Sequence, residues 1–276
     1  MKLSVDHMTR YTFSEPVRFI VQSLKLTPTS SEGQRPIRWS VSAEGCDISE
    51  PFIDGYGDAI QTLTCPDERS EIEISVRGEV ETEDTAGVLR GHREKIRPEV
   101  FLRETDVTAP DRAIRELAKA VARRTSGAAD AEALLKRAHE LSTLVSMAVE
   151  YVPGVTHAHT TAAEAIAEGR GVCQDHAHVL ISAARQLDIP ARYVSGYLFA
   201  DAAGEPHGAS HAWAELYLDD MGWVGFDAAN RICPTDHYIR LGSGLDARDA
   251  APVRGVHSGN ATEALEVTLV VQQAQQ

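Results

Sequence analysis

Hydrophobic spacing changes period twice along this chain, and that double change limits the fold more than any other feature of the sequence. In roughly the first hundred residues apolar positions alternate with polar ones, as in Leu3, Val5 and His7 and again in Ile72, Ile74 and Val76. A period of two belongs to strands with one covered face. Turn-forming runs separate them, in Thr27-Pro28-Thr29-Ser30-Ser31-Glu32-Gly33 and Asp54-Gly55-Tyr56-Gly57-Asp58, as a meander or sandwich requires. Near Arg97-Pro98 the period becomes helical, with Ile114, Leu117, Ala118 and Val121 on one stripe and Leu134, Leu135, Ala138 and Leu141 on another. After Pro190 the period of two returns over Arg192 to Leu198, Ser210 to Leu218, Gly222 to Asp227 and Ala264 to Val271, which predicts a second sheet. The expected class is α+β: an amino-terminal β-rich domain, residues 1–100, then a helix-and-sheet core, residues 101–276.

Composition narrows the partners. With 43% hydrophobic and 25% charged residues in 276, the chain can bury full cores without staples. Its 27 basic and 41 acidic side chains leave a formal charge of −14, which repels nucleic-acid backbones and anionic membranes, so neither is an expected partner. No stretch approaches the ~18 apolar residues of a membrane span, and the opening MKLSVDHMTRYTF alternates where a signal peptide would be continuously apolar. Cys46, Cys65, Cys173 and Cys233 form no CxxC pair, which suits reduced thiols and a cytoplasmic protein. The glutamine-rich end at 272–276 is expected to fray.

Local signals then isolate one cysteine. Thr161-Ala162-Ala163-Glu164 is a capping box opening a short helix, and Gly169 and Gly171 end it. From Cys173 a new helix runs to Leu187, with Pro190 stopping it, so Cys173 stands at a helix start. Free N–H groups and the helix dipole favour a thiolate there, and the Cys173 N–H is available to an oxyanion. The plainer reading makes Cys173 one small residue on the buried stripe. His211 lies on a strand face shared with Trp213, Glu215 and Tyr217, where a solvated imidazole is the plain alternative. Asp227 ends the next strand among apolar residues, where a carboxylate needs a partner. His211 is the nearest candidate.

These stretches together resemble the transglutaminase-like superfamily of papain-related cysteine enzymes. The resemblance rests on Gly171-Val172-Cys173-Gln174-Asp175-His176-Ala177-His178, Pro190-Ala191-Arg192-Tyr193-Val194-Ser195-Gly196-Tyr197, His211-Ala212-Trp213-Ala214-Glu215 and Gly222-Trp223-Val224-Gly225-Phe226-Asp227-Ala228-Ala229-Asn230, in family order. Tyr11-Thr12-Phe13-Ser14-Glu15-Pro16-Val17 and Leu26-Thr27-Pro28 are similar to the β-domain preceding this core in a bacterial subgroup. The resemblance implies a nucleophile at Cys173, a base at His211 and an orienting acid at Asp227, acting on a peptide or protein amide through a thioester. Water resolving the thioester gives hydrolysis, and an amine gives transamidation. No cofactor is implied. The chain departs from the family pattern at His176 and at Ala228-Ala229, and it has no calcium-loop pattern or matching upstream tryptophan, so protein crosslinking is not implied.

Two rival readings stand beside this one. His157, His159, His176 and His178 cluster near Cys173 in sequence and could be metal ligands, although a two-residue offset turns helical side chains ~200° apart. A non-catalytic binding module on the same fold is the other. The triad also makes a geometric demand. Antiparallel partners have a constant sum of residue numbers: a sum of 441 puts Asp227 on the face His211 does not use, whereas an odd loop such as Asp219-Asp220-Met221, with Leu218 opposite Gly222 and a sum of 440, or a bulge that shifts the register by one, puts it on the face of His211. Gly222 is then the residue expected at positive φ.

Overall fold

Lys2–Thr27 forms one 26-residue strand, β1, whose first half buries Leu3, Val5, His7, Thr9, Tyr11 and Phe13 on alternate positions. This computed structural model describes residues 1–125, 131–199 and 210–274. Next along the chain come β2 (Gln34–Ala43), β3 (Asp47–Ile48), β4 (Phe52–Ile53), β5 (Ala59–Cys65) and β6 (Arg69–Thr82). The first half of β1 pairs with β6, the second half with β5, and β2 extends the sheet from β6. One barrel-like sheet results.

Helical spacing then produces α1 (Arg112–Arg124), α2 (Ala131–Ala148), β7 (Glu150–Tyr151), α3 (Ala162–Glu168), β8 (Arg170–Gly171) and α4 (Cys173–Arg185). Thr161 and Glu164 form the expected capping box on α3, and Gly169 ends it in the left-handed region at φ 65°. A second antiparallel sheet follows, built from β9 (Ala191–Leu198), β10 (His211–Leu218), β11 (Gly222–Phe226) and β12 (Tyr238–Gly244), in the order β11-β10-β9-β12. Between the helices and this sheet lies an apolar core that includes Ile114, Val121, Leu141, Leu180, Ile181, Leu216 and Phe226.

Four expectations are corrected here. The segment read as a strand of the second sheet, Ala264 to Val271, lies in β14 (Glu263–Gln273), which pairs with the first half of β1, while β13 (Val253–Ser258) pairs with its second half. An alternating pattern fixes which face is covered but not which neighbour supplies the hydrogen bonds. Gln272 and Gln273 are therefore sheet residues facing Ser4 and Leu3, not a frayed end, and of the run 272–276 residues 275–276 lie outside the described residues. Cys46 and Cys65 are joined in a disulfide, which removes the premise of four unpaired thiols; pairing of β3 with β5 brings together two cysteines 19 residues apart. Finally, α4 is buried on nearly every side, not along one stripe, and several of its polar residues have fixed partners. Arg185, for example, donates to the carbonyls of Phe101, Ala191 and Leu245 and to the Thr108 hydroxyl.

The two sheets meet over a buried ionic network. Glu215 on β10 accepts from Arg192 at 2.6 Å and Arg240 at 2.9 Å, and Arg240 also reaches Asp58 of the first sheet's side at 2.7 Å. Lys25 of β1 adds to Asp58 and Asp54 at 3.8 Å and 3.4 Å. The Arg192 guanidinium lies 4.0 Å over the Trp223 ring, and its other end donates to Glu94.

Candidate active site

Register decides whether the hairpin can assemble a site, and the observed ladder runs from Leu218↔Gly222 to Ala214↔Phe226, the sum of 440 that the triad requires. The loop Asp219-Asp220-Met221 is odd, with Gly222 at φ 79° and Asp220 at φ 69°. Asp227, one residue beyond the ladder, consequently falls on the side of β10 that carries His211. His211 Nε2 donates to Asp227 Oδ2 at 2.6 Å. With Nε2 engaged, Nδ1 is the nitrogen left for a thiol. Cys173, at the first turn of α4, lines the same cleft as His211 and interacts with its ring.

Charge follows from these contacts. Burial alone would depress His211, but its hydrogen bonds and charge interactions with Asp227 and Cys173 raise it from the ordinary 6.5 to about 10. Burial would raise Asp227, yet His211, Tyr238 and Asn230 together hold its carboxyl below the usual range. The pair is thus an imidazolium and a carboxylate at neutral pH. Asp227 also receives the Tyr238 hydroxyl at 2.8 Å, the Asn230 side-chain amide at 2.7 Å and the Asn230 N–H at 3.2 Å. Trp213 stacks on His211 and meets Tyr238 edge-on, closing the apolar side of the ring.

Tyr238 and Asn230 were not singled out from sequence. Asn230 closes the stretch 222–230 and is by type a turn residue; Tyr238 lies on β12, and the β9–β12 pairing brings it over the hairpin. Removing one donor from an ionised carboxylate raises its pKa, so Tyr238→Phe is expected to move the acid limb of the pH–rate profile upward by less than ~1 pH unit and to lower kcat/KM less than ~10-fold. An acid limb identical to wild type would exclude the hydroxyl from that role.

The remaining candidates do not converge. His176 turns its two ring nitrogens to the carbonyls of Val172 and Val149, and His178 accepts the Ala247 N–H, while His159 is beside Arg248 and His157 is exposed. Among the described residues no group of three or more metal-ligating side chains comes together. Asp175 caps α4: its Oδ2 accepts the Val172 N–H and the Thr156 hydroxyl, both at 2.7 Å. That contact leaves Gly171 no room for a side chain, since a Cβ there would come 2.6 Å from the same oxygen. Cys173 and His211 open onto a cleft of about 1050 Å³ lined also by Tyr151, Tyr193, Asn230 and Arg248.

Comparison with known proteins bears on family and fold. Residues 119–228 match the model of the transglutaminase-like superfamily, and residues 3–81 match that of the bacterial transglutaminase-like N-terminal region. An uncharacterized Mycobacterium leprae protein is 28% identical over 98% of both chains. An uncharacterized Mycobacterium tuberculosis protein is 32% identical over 45% of this chain and 42% of its own length. Among solved structures, a Cytophaga hutchinsonii protein provisionally described as a cysteine protease superposes with a TM-score of 0.73 at 23% identity, covering 100% of this chain and 92% of that one.

Proposed function

Since the chain belongs to the transglutaminase-like superfamily, we propose that it is a cysteine enzyme acting on a peptide or isopeptide amide through a Cys173 thioester, with water as the resolving group. The observation that carries this reading is the convergence of Cys173 and His211 on one cleft, with His211 held by a four-donor Asp227. Attack of the Cys173 sulfur on the amide carbonyl would form a tetrahedral oxyanion, and the N–H groups at the start of α4 have no acceptor within the helix and can bind it. His211, holding the proton taken from the thiol, would pass it from Nδ1 to the leaving amine. Water, deprotonated by the same nitrogen, would then release the acid. Asp227 keeps the ring turned and stabilises its charge throughout.

Limited alkylation tests the reading without a substrate. Cys233 is the other free thiol among the described residues, half-buried, and burial pushes its pKa up. Iodoacetamide at neutral pH is expected to modify Cys173 at least ~10-fold faster than Cys233, measured by peptide mapping, and the preference should vanish in His211→Ala. Equal or slower modification at Cys173 would overturn the proposal.

A further inference from the structure

The chain carries a charge of −14, yet the described residues lining the catalytic cleft include no Asp or Glu and do include one guanidinium, Arg248. Arg248 is exposed, makes no ion pair among the described residues, and its guanidinium has one hydrogen-bond contact among them, to His159 Nδ1 at 3.4 Å. Two carboxylates on its own loop could have neutralised it and do not. Asp246 Oδ1 accepts the Arg248 and Asp249 N–H groups at 2.9 Å and 3.0 Å, and Asp249 Oδ2 accepts the Leu245 N–H at 2.9 Å and the Tyr56 hydroxyl at 2.7 Å. Both acids are consumed in shaping the backbone.

The neighbouring N–H is fixed as well. Ala247 donates at 3.1 Å to Nε2 of His178, which burial pushes down to about 4, so the ring is neutral and remains an acceptor at physiological pH. Four residues of the stretch 245–249, Leu245, Ala247, Arg248 and Asp249, have backbone N–H contacts that hold the loop, and Tyr56 ties it to the amino-terminal sheet's side. Arg248 is therefore a cation presented from a rigid support, which lowers the entropic cost of binding an anion. The rest of its surroundings in the cleft is largely apolar, with Ala247, Ala251, Pro252 and Leu265 nearby in the lining. A guanidinium in such a setting selects a planar anion that it can grip with two hydrogen bonds.

We propose that Arg248 forms a carboxylate-binding subsite, so that the preferred substrate is an amide bearing a free carboxylate close to the scissile bond. This rests on the reading of Cys173 as the nucleophile, and it reverses the simple expectation that an acidic protein takes basic ligands. The carboxylate can come from either side of the bond: from the acyl donor, as in a γ-glutamyl amide, or from the leaving residue, as at a peptide's carboxyl terminus.

Chloroacetyl-glycine, chloroacetyl-β-alanine and chloroacetyl-γ-aminobutyrate, each paired with its carboxamide, test the subsite by alkylating Cys173 with loss of chloride. At the chain length that reaches Arg248 the carboxylate probe is expected to react about tenfold faster than its amide, and the ratio should fall to about one in Arg248→Gln and in 1 M salt. A ratio of one or less at every length in wild type, or a ratio unchanged in Arg248→Gln, would overturn the subsite. A measurement independent of the thiol separates the two claims. In Cys173→Ala, tighter binding of N-acetylated dipeptide acids than of their amides, followed by NMR titration, supports the subsite even if Cys173 proves unreactive; equal binding overturns it. Amidating in turn the α-carboxylate of γ-glutamyl substrates and the terminal carboxylate of peptides then assigns the side, and turnover that is insensitive to both would also overturn the subsite.

Discussion

Cys173→Ala is expected to abolish amide turnover, by at least ~10^4-fold in kcat/KM, because no other group in the cleft can form the thioester. His211→Ala should fall nearly as far. It removes the base, the acid for the leaving amine and the partner that Asp227 holds, and a cysteine without its imidazole also loses the alkylation preference described above. Asp227→Asn is expected to cost less, on the order of 10^2-fold, since an amide oxygen can still accept from His211 Nε2 and keep the ring turned. It cannot supply the charge that, with the thiol, lifts His211 to about 10. The upper limb of the pH–rate profile should accordingly move down in Asp227→Asn, and only kcat and this limb should respond. The three variants should keep wild-type circular dichroism and cooperative unfolding, so that losses report chemistry. Wild-type turnover in Cys173→Ala, on any substrate whose cleavage is verified, would end the mechanism.

The hairpin that carries two of these residues could be read from parity alone, before any coordinates. Side chains alternate on a strand, so Asp227 comes to the face of His211 through an odd loop or a register-shifting bulge, and β10 and β11 adopt the odd loop between Leu218 and Gly222. Caps were equally local: Thr161, Glu164 and Gly169 each act within one turn. What parity and caps could not supply was the identity of distant partners. β14 alternates as a strand of either sheet would, and its attachment to β1 depends on chain path. Tyr238 reaches Asp227 only because β12 pairs with β9 and not with its sequence neighbour β11. The face of β10 read as polar and open is instead closed over, with Trp213 and Glu215 both buried, since the amino-terminal domain's side supplies Arg240's second acid, Asp58. Charged residues inside a core leave no apolar period to read, and their meaning appears only with their counter-ions.

Glu215 is where that invisibility has the largest consequence for stability. Its two oxygens are divided between Arg192 and Arg240, and the Arg192 side chain is wholly buried. Glu215→Ala would leave two buried guanidinium groups short of a counter-charge, and breaking a buried pair from one side costs about 3–5 kcal/mol. That is a large share of the ~5–15 kcal/mol by which a domain is stable, so urea denaturation should show a midpoint far below wild type. Acid provides the second signature. Burial by itself would raise the Glu215 carboxyl, but Arg240 and Arg192 overcome it and hold it at about 2, below the ordinary 4.5. The folded carboxyl is the weaker binder of protons, so its contribution is fully present above pH 4.5 and is lost as pH falls toward 2, with a slope no steeper than ~1.4 kcal/mol per pH unit from this one group. Glu215→Gln keeps an oxygen for one arginine and has no proton to bind. Its stability should therefore start lower than wild type at pH 6 and decline less steeply between pH 4.5 and 2, so the two curves converge as acid is added. Parallel curves for wild type and Glu215→Gln across that window would show that the carboxylate's charge does not hold the two sheets together.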